Sequence, residues 1–160
     1  IAVSRGLGDV YKRQKIDWPI IVMLAAMIPI GTALQTTGVS SLIATSISTY
    51  ASSLSLFWIL LIILIVTMVT TDIINNAATA VIMAPISTGI ALELGYAIEP
   101  FLMVVAVGAS CAFLTPIGHQ CNTVVMGPGN YKFTDYWRMG LPMDILIILA
   151  SIPMILFVWT

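Results

Sequence analysis

Residues 54–92 are almost continuously apolar, but one stretch inside them is not. It reads IVTMVTTDIINNAATAVIMAP, residues 65–85, and sets an aspartate, two adjacent asparagines and four threonines in a greasy run. A straight helix over 54–92 would be about 58 Å long, nearly twice the hydrocarbon thickness of a bilayer. The run therefore has to fold back on itself as a hairpin over about 54–92. Asn75-Asn76 is the expected turn, because asparagine accepts turn and cap geometry and can satisfy freed backbone groups. The second arm, Ala78–Leu92, would be about 22 Å long and is broken by Pro85 and Gly89, dimensions that suit a re-entrant arm.

Such a run has only one solvent in which it is stable. The 160-residue chain is 59% hydrophobic and 8% charged, with a mean hydropathy of +1.06, whereas a soluble domain is about a quarter charged. The composition specifies an all-α integral membrane protein. A formal net charge of −1 gives no sign of a nucleic-acid partner. Cys111 and Cys121 form no metal-ligand spacing and read as buried free thiols.

The remaining segments fall into order around the hairpin. Residues 18–34, WPIIVMLAAMIPIGTAL, form a first expected span headed by an interfacial tryptophan. Residues 37–53 carry Val39, Leu42, Ile43, Ile47 and Tyr50 at helical spacing, expected as an interfacial helix, with a further span as the alternative. A broken helix is expected over 101–126, with TPIGHQCN, Thr115 to Asn122, unwinding its middle through Pro116 and Gly118. Residues 127–142 read as a polar loop, and a last span is expected over 141–160. Residues 1–14 include VSRGLGDVYKRQ, which resembles a translated sequencing adapter and is expected to be a non-native assembly scar. The domain to be understood is then 15–160. Outside that scar the basic residues are Lys15, Lys132 and Arg138, all on the face expected to be cytoplasmic.

Irregular backbone at membrane depth is tolerated where it lines a protected cavity, and two broken helices are a common way for transporters to build a site. The helix after Asn76 would aim its N–H groups at an anion. The arm before it would offer free carbonyls to a small cation. Asp72, an intramembrane acid, could bind a cation, carry a proton, cap the tip or face a water-filled vestibule. His119 has no partner at metal-ligand spacing but could line the site. Thr67, Thr70, Thr71 and Thr79 are expected to bond backbone or neighbouring helices. Tyr131, Tyr136 and Trp137 read as interfacial anchors. A membrane-embedded enzyme is disfavoured, because no second intramembrane acid is expected near Asp72 and no Gly-x-Ser-x-Gly element is present.

These motifs carry a family resemblance. NNAATAVIMAPI resembles the Ser-Asn-Thr hairpin signature of the divalent anion/sodium symporters, typically SNTATAAMLLPI. FLTPIGHQCNTVVMGPGNYKFTDYWRMGLPM resembles their second motif, and DWPIIVMLAAMIPIGTALQTTGV the segment opening each repeat. The form of the second motif is most similar to the bacterial branch, which often carries TrkA-C regulatory domains. The resemblance implies the second inverted repeat of an elevator-type transporter, a homodimer in a bacterial inner (plasma) membrane. The first repeat of the same protein would then be its missing partner. It also implies a small anionic substrate, sulfate or a di- or tricarboxylate, with Na⁺ as coupling ion and no cofactor. Arsenite/citrate-type or proton-coupled permeases are the alternatives. On this basis Asn75, Asn76, Ala77 and Thr123 are the expected substrate-binding residues. The expected cation-binding residues are Asn76, Asp72, Gly118, His119 and Asn122. Ala77 stands where the family has a hydroxyl residue, and His119, Gln120 and Cys121 replace its usual Thr-Pro-Pro, pointing to a different anion or coupling ion.

Overall fold

The computed structural model describes residues 54–159 continuously and, before them, single residues and short groups between 22 and 47. The segment 1–14 lies outside the described residues. The first span and the interfacial helix, expected over 18–34 and 37–53, lie largely outside them too.

Five helices follow: α1 (Leu56–Ile73), α2 (Asn76–Leu94), α3 (Glu99–Ser110), α4 (Gln120–Met126) and α5 (Phe133–Trp159). There is no strand among the described residues. By length and composition α1, α2 and α5 can each cross a membrane, so the protein is an all-helical membrane protein.

Helix α1 forms because nothing in Leu56–Ile73 interrupts its backbone bonding, and its hydroxyls are absorbed locally. Thr67 Oγ1 donates to Ile63 O and Thr70 Oγ1 to Val66 O, at 2.6 and 2.7 Å, the back-bonding by which threonine survives in an apolar helix. The reversal takes two residues. Ile74 N–H still donates to Thr70 O at 3.0 Å, and extended Asn75 caps α2, its Oδ1 accepting from Ala78 N–H at 2.8 Å. The side-chain cap replaces one of the four bonds a helix start leaves unmade.

Helix α2 is longer than the arm expected from sequence. It begins at Asn76 and runs through Pro85 to Leu94, ending on Gly95 at φ +73°. The proline removes the donor that Val81 O would have met, and Thr88 Oγ1 back-bonds to Pro85 O at 3.0 Å. Helix α3 then runs back along α2. Ser87 Oγ donates to Phe101 O near its start, and Thr71 Oγ1 donates to Ala109 O near its end. The core lies between these three helices and the far half of α5. It holds Leu60 and Leu64, Ile86 and Ile90, Phe101 and Val104, and Ile152 and Ile155.

Two boundaries differ from the sequence expectation. The break after α3 begins at Cys111 rather than Thr115 and closes before Asn122, which is helical. Helix α5 starts at Phe133, inside the expected polar loop. Asp135 Oδ2 accepts from Lys132 N–H at 2.8 Å while Asp135 N–H donates to Lys132 O at 2.9 Å. This reciprocal cap starts the helix eight residues ahead of the apolar run.

Candidate functional site

The hairpin tip and the 111–119 break meet. Asn76 is the clasp. With its amide turned to satisfy its neighbours, Nδ2 donates to Thr71 Oγ1 (2.8 Å), Ala109 O (3.2 Å) and Gly118 O (3.2 Å). One side chain thus ties the end of α1, the end of α3 and the break to the first residue of α2. Because the nitrogen makes these bonds, the amide oxygen faces the other way.

Asp72 pins the break from below the tip. Its Oδ1 accepts from Leu114 N–H at 3.1 Å, and its backbone oxygen accepts from Thr115 Oγ1 at 2.7 Å. Gly118 seats against the same turn. A Cβ there would lie 2.8 Å from Ala112 Cβ, 3.0 Å from Thr71 O and 3.1 Å from Asp72 Cα, so only glycine lets the backbone in.

The break is also held from its far side. Asn122 Nδ2 donates to Ala112 O (2.8 Å) and Thr115 O (3.2 Å), Thr123 Oγ1 to Pro116 O (2.6 Å), and Tyr136 hydroxyl to Asn122 O (2.7 Å). Carbonyls left free in the break between α3 and α4 are therefore met by side chains, as an unwound segment in a membrane requires. His119 caps α4, its Nδ1 accepting from Cys121 N–H at 3.2 Å, with an exposed ring.

Of the sequence-derived site residues, the structure brings Asp72, Asn76, Gly118 and Asn122 together around the break. Asn75 and Ala77 flank Asn76, half-buried at the tip. Thr123 and His119 lie one at each side of the start of α4 and are exposed. A pocket of about 270 Å³ opens beyond α4, lined by Phe113, Asn122, Tyr131, Tyr136, Met139 and Met143 among others.

Thr71, expected to bond backbone or a neighbouring helix, does so at Ala109 O of α3 and also joins the clasp. Sequence reasoning missed two residues. Tyr136 was read as an interfacial anchor, yet its hydroxyl holds α4. Asp144 was read as the mere start of a span. It is buried on α5 within electrostatic reach of Asp72, which corrects the expectation that Asp72 has no intramembrane acid near it. A signal for the last was present: an aspartate one turn after Gly140, heading an otherwise apolar run.

The Tyr136 bond has a measurable weight. Tyr136→Phe removes one neutral hydrogen bond and should cost about 1 kcal/mol. Limited proteolysis is expected to cut the 127–132 turn sooner in that variant, with cleavage elsewhere unchanged. Equal cutting in both proteins would show that the bond does not hold α4.

Three apolar helices of spanning length among the described residues, beside two polar breaks that lock together, fit a membrane transporter, and the family and relatives that the chain matches are transporters. The chain belongs to the citrate transporter family, whose profile matches residues 9–108. It is 37% identical over 152 residues to an uncharacterized transporter of Synechocystis sp., covering 95% of this chain and 24% of that protein. It is 29% identical over 140 residues to sodium/sulfate cotransporter 2 of Chlamydomonas reinhardtii (87% of this chain, 16% of that protein). To the Na⁺/citrate cotransporter of Rattus norvegicus it is 29% identical over 136 residues (84% and 23%). The chain thus spans about a quarter or less of the length of these relatives.

Proposed function

We propose that this chain forms the core of a secondary active transporter that moves sulfate or a di- or tricarboxylate, coupled to Na⁺. The observation carrying this reading is the Asn76 clasp. It closes the tip with the amide nitrogen and leaves the amide oxygen, with the first-turn N–H groups of α2, for ligands of opposite sign. Asn75, Asn76, Ala77 and Thr123 would surround the anion, where the start of a 19-residue helix supplies partial positive charge. Asn122 also makes its side-chain hydrogen bonds through nitrogen, so the amide oxygens of Asn76 and Asn122 are the proposed Na⁺ ligands. Cation bound beside the anion lowers the anion's cost of entry, and that mutual effect is the coupling.

The names of the Chlamydomonas and rat relatives support this substrate class and ion. Inverted-repeat logic supports the rest of the proposal. The chain would be the second repeat of an elevator-type homodimer in a bacterial inner membrane, its hairpin tip at membrane depth.

The test is uptake of radiolabelled sulfate and citrate by cells expressing the gene that encodes this chain, with Na⁺ present or replaced by choline. Uptake that requires Na⁺ supports the proposal. Uptake driven by external acid and indifferent to Na⁺ overturns the ion. Failure to take up either anion, with the protein confirmed in the membrane, overturns the substrate class.

A further inference from the structure

Two carboxylates lie inside this membrane protein with oxygens that nothing answers. Asp72 on α1 is 4% exposed and Asp144 on α5 is 8% exposed. Asp72 Oδ2 and Asp144 Oδ1 are both buried without a hydrogen-bond partner. The two approach one structural feature from opposite sides. Asp72 Oδ1 accepts from Leu114 N–H. Gly140, one turn before Asp144 on the same face of α5, packs against the Phe113–Leu114 peptide, where a Cβ would lie 2.7 Å from Phe113 C and 3.0 Å from Leu114 N. Asp144 lies in the field of Asp72, and Cys111 lies in the fields of both.

Buried acids of like charge, without cationic partners, cannot both stay ionised in an apolar interior. Among the described residues, no cation that could neutralise them lies in their surroundings. Of the described elements, those packed against α5 are α1, α3 and, through Tyr136, α4, whose cap His119 has an exposed ring. Helix α1 contributes Asp72, and α3 carries Glu99 at its far end. The break contributes the Cys111 thiol, which donates to Val107 O at 3.1 Å. On α5 itself Asp135 and Arg138 sit toward the start, Arg138 exposed. No group of three or more His, Cys, Asp or Glu able to hold a metal occurs among the described residues. A single proton is enough to relieve the repulsion between two buried carboxylates that lack a cationic partner.

We propose that Asp72 and Asp144 form a proton-binding site, the proton resting on Asp144 and the negative charge on Asp72. The division follows from the bonds. Asp72 accepts a backbone N–H, which favours its charged form, and Asp144 has no donor to stabilise a charge. Loading takes one proton from water to make an O–H on Asp144, and unloading returns it to water. The site is distinct from the Asn76–Asn122 cation position. It rests on the transporter reading only for its use, since binding is a property of these side chains alone.

The test is infrared spectroscopy of the purified protein in lipid at neutral pH in choline buffer, reading the C=O stretch of protonated carboxyl groups. Wild type should show that band. Asp144→Asn should abolish it, because Asp72 then ionises with its Leu114 bond intact. Asp72→Asn should retain it, because Asp144 is still buried and unpartnered. The amide band of the same spectra verifies that each variant is folded. No protonated carboxyl at neutral pH, or a band that survives Asp144→Asn, overturns the proposal. Absence of anion uptake would count against the function reading alone and leave this result standing.

Discussion

Asn76→Ala is expected to lower the stability of the protein by about 2–4 kcal/mol, because acceptors around the tip lose their donor together. Gly118 O loses its Asn76 bond, Thr71 Oγ1 loses the amide it accepted from, and Ala109 O keeps only Thr71. The measurement is thermal unfolding followed by a thiol-reactive dye at buried Cys111, with exposed Cys121 first changed to serine. Asn76→Asp sharpens the test. It puts a carboxyl among three oxygens, so the folded state favours the protonated form of the introduced acid. Stability should therefore be best at low pH and fall as pH rises through that group's folded-state titration. An Asp variant insensitive to pH, or an Ala variant as stable as wild type, would refute the clasp.

Gly140→Ala should be nearly as damaging, for a steric reason. The added methyl would collide with Phe113 O, a backbone atom that has no rotamer by which to withdraw. Helix α5 must back away from the break, an overpacking cost of about 1–3 kcal/mol. Because Leu114 N–H leans on Asp72 beneath that contact, the break should loosen with it. Cys111 should then react with a maleimide about 10- to 30-fold faster than in the parent, the ratio that 1.4–2 kcal/mol of easier opening gives. Unchanged labelling would mean that α5 does not buttress the break.

Both predictions concern contacts that no local pattern encodes, and that marks how far the sequence could be read. The membrane class followed from charge alone. A reversal at Asn75-Asn76 followed from hairpin length and from asparagine's aptitude for capping, and the structure sets it one residue earlier, at Ile74–Asn75, because Asn76 already starts α2. Pro116 with Gly118 marked a break in the next apolar segment. Its extent was not legible. The helix stops four residues early, at Cys111, since Leu114 N–H and Thr115 Oγ1 bond to Asp72 rather than along α3. The start of α5 was hidden by the polarity of 127–142, where one Asp135 cap outweighs composition. Asp144 was invisible as a partner because its neighbour lies on another helix, and periodicity along one segment cannot show that. Asn75 and Asn76 were legible as a turn and cap, but the three-way clasp of Asn76 and the hold of Asn122 on the break were not.

The long-range bonds that hold the tip also set the order in which it can be made. Asp72 finds its donors 42 and 43 residues further along the chain, and Thr71 finds Ala109 38 residues on. At about 5–20 residues per second the ribosome needs on the order of 2–8 s to deliver them. During that interval Asp72, near the end of α1, has no partner, and the apolar length of α1 has to carry that unsatisfied carboxylate alone. The lock on the tip can therefore close only after residues 109–118 have been translated, well after the hairpin itself.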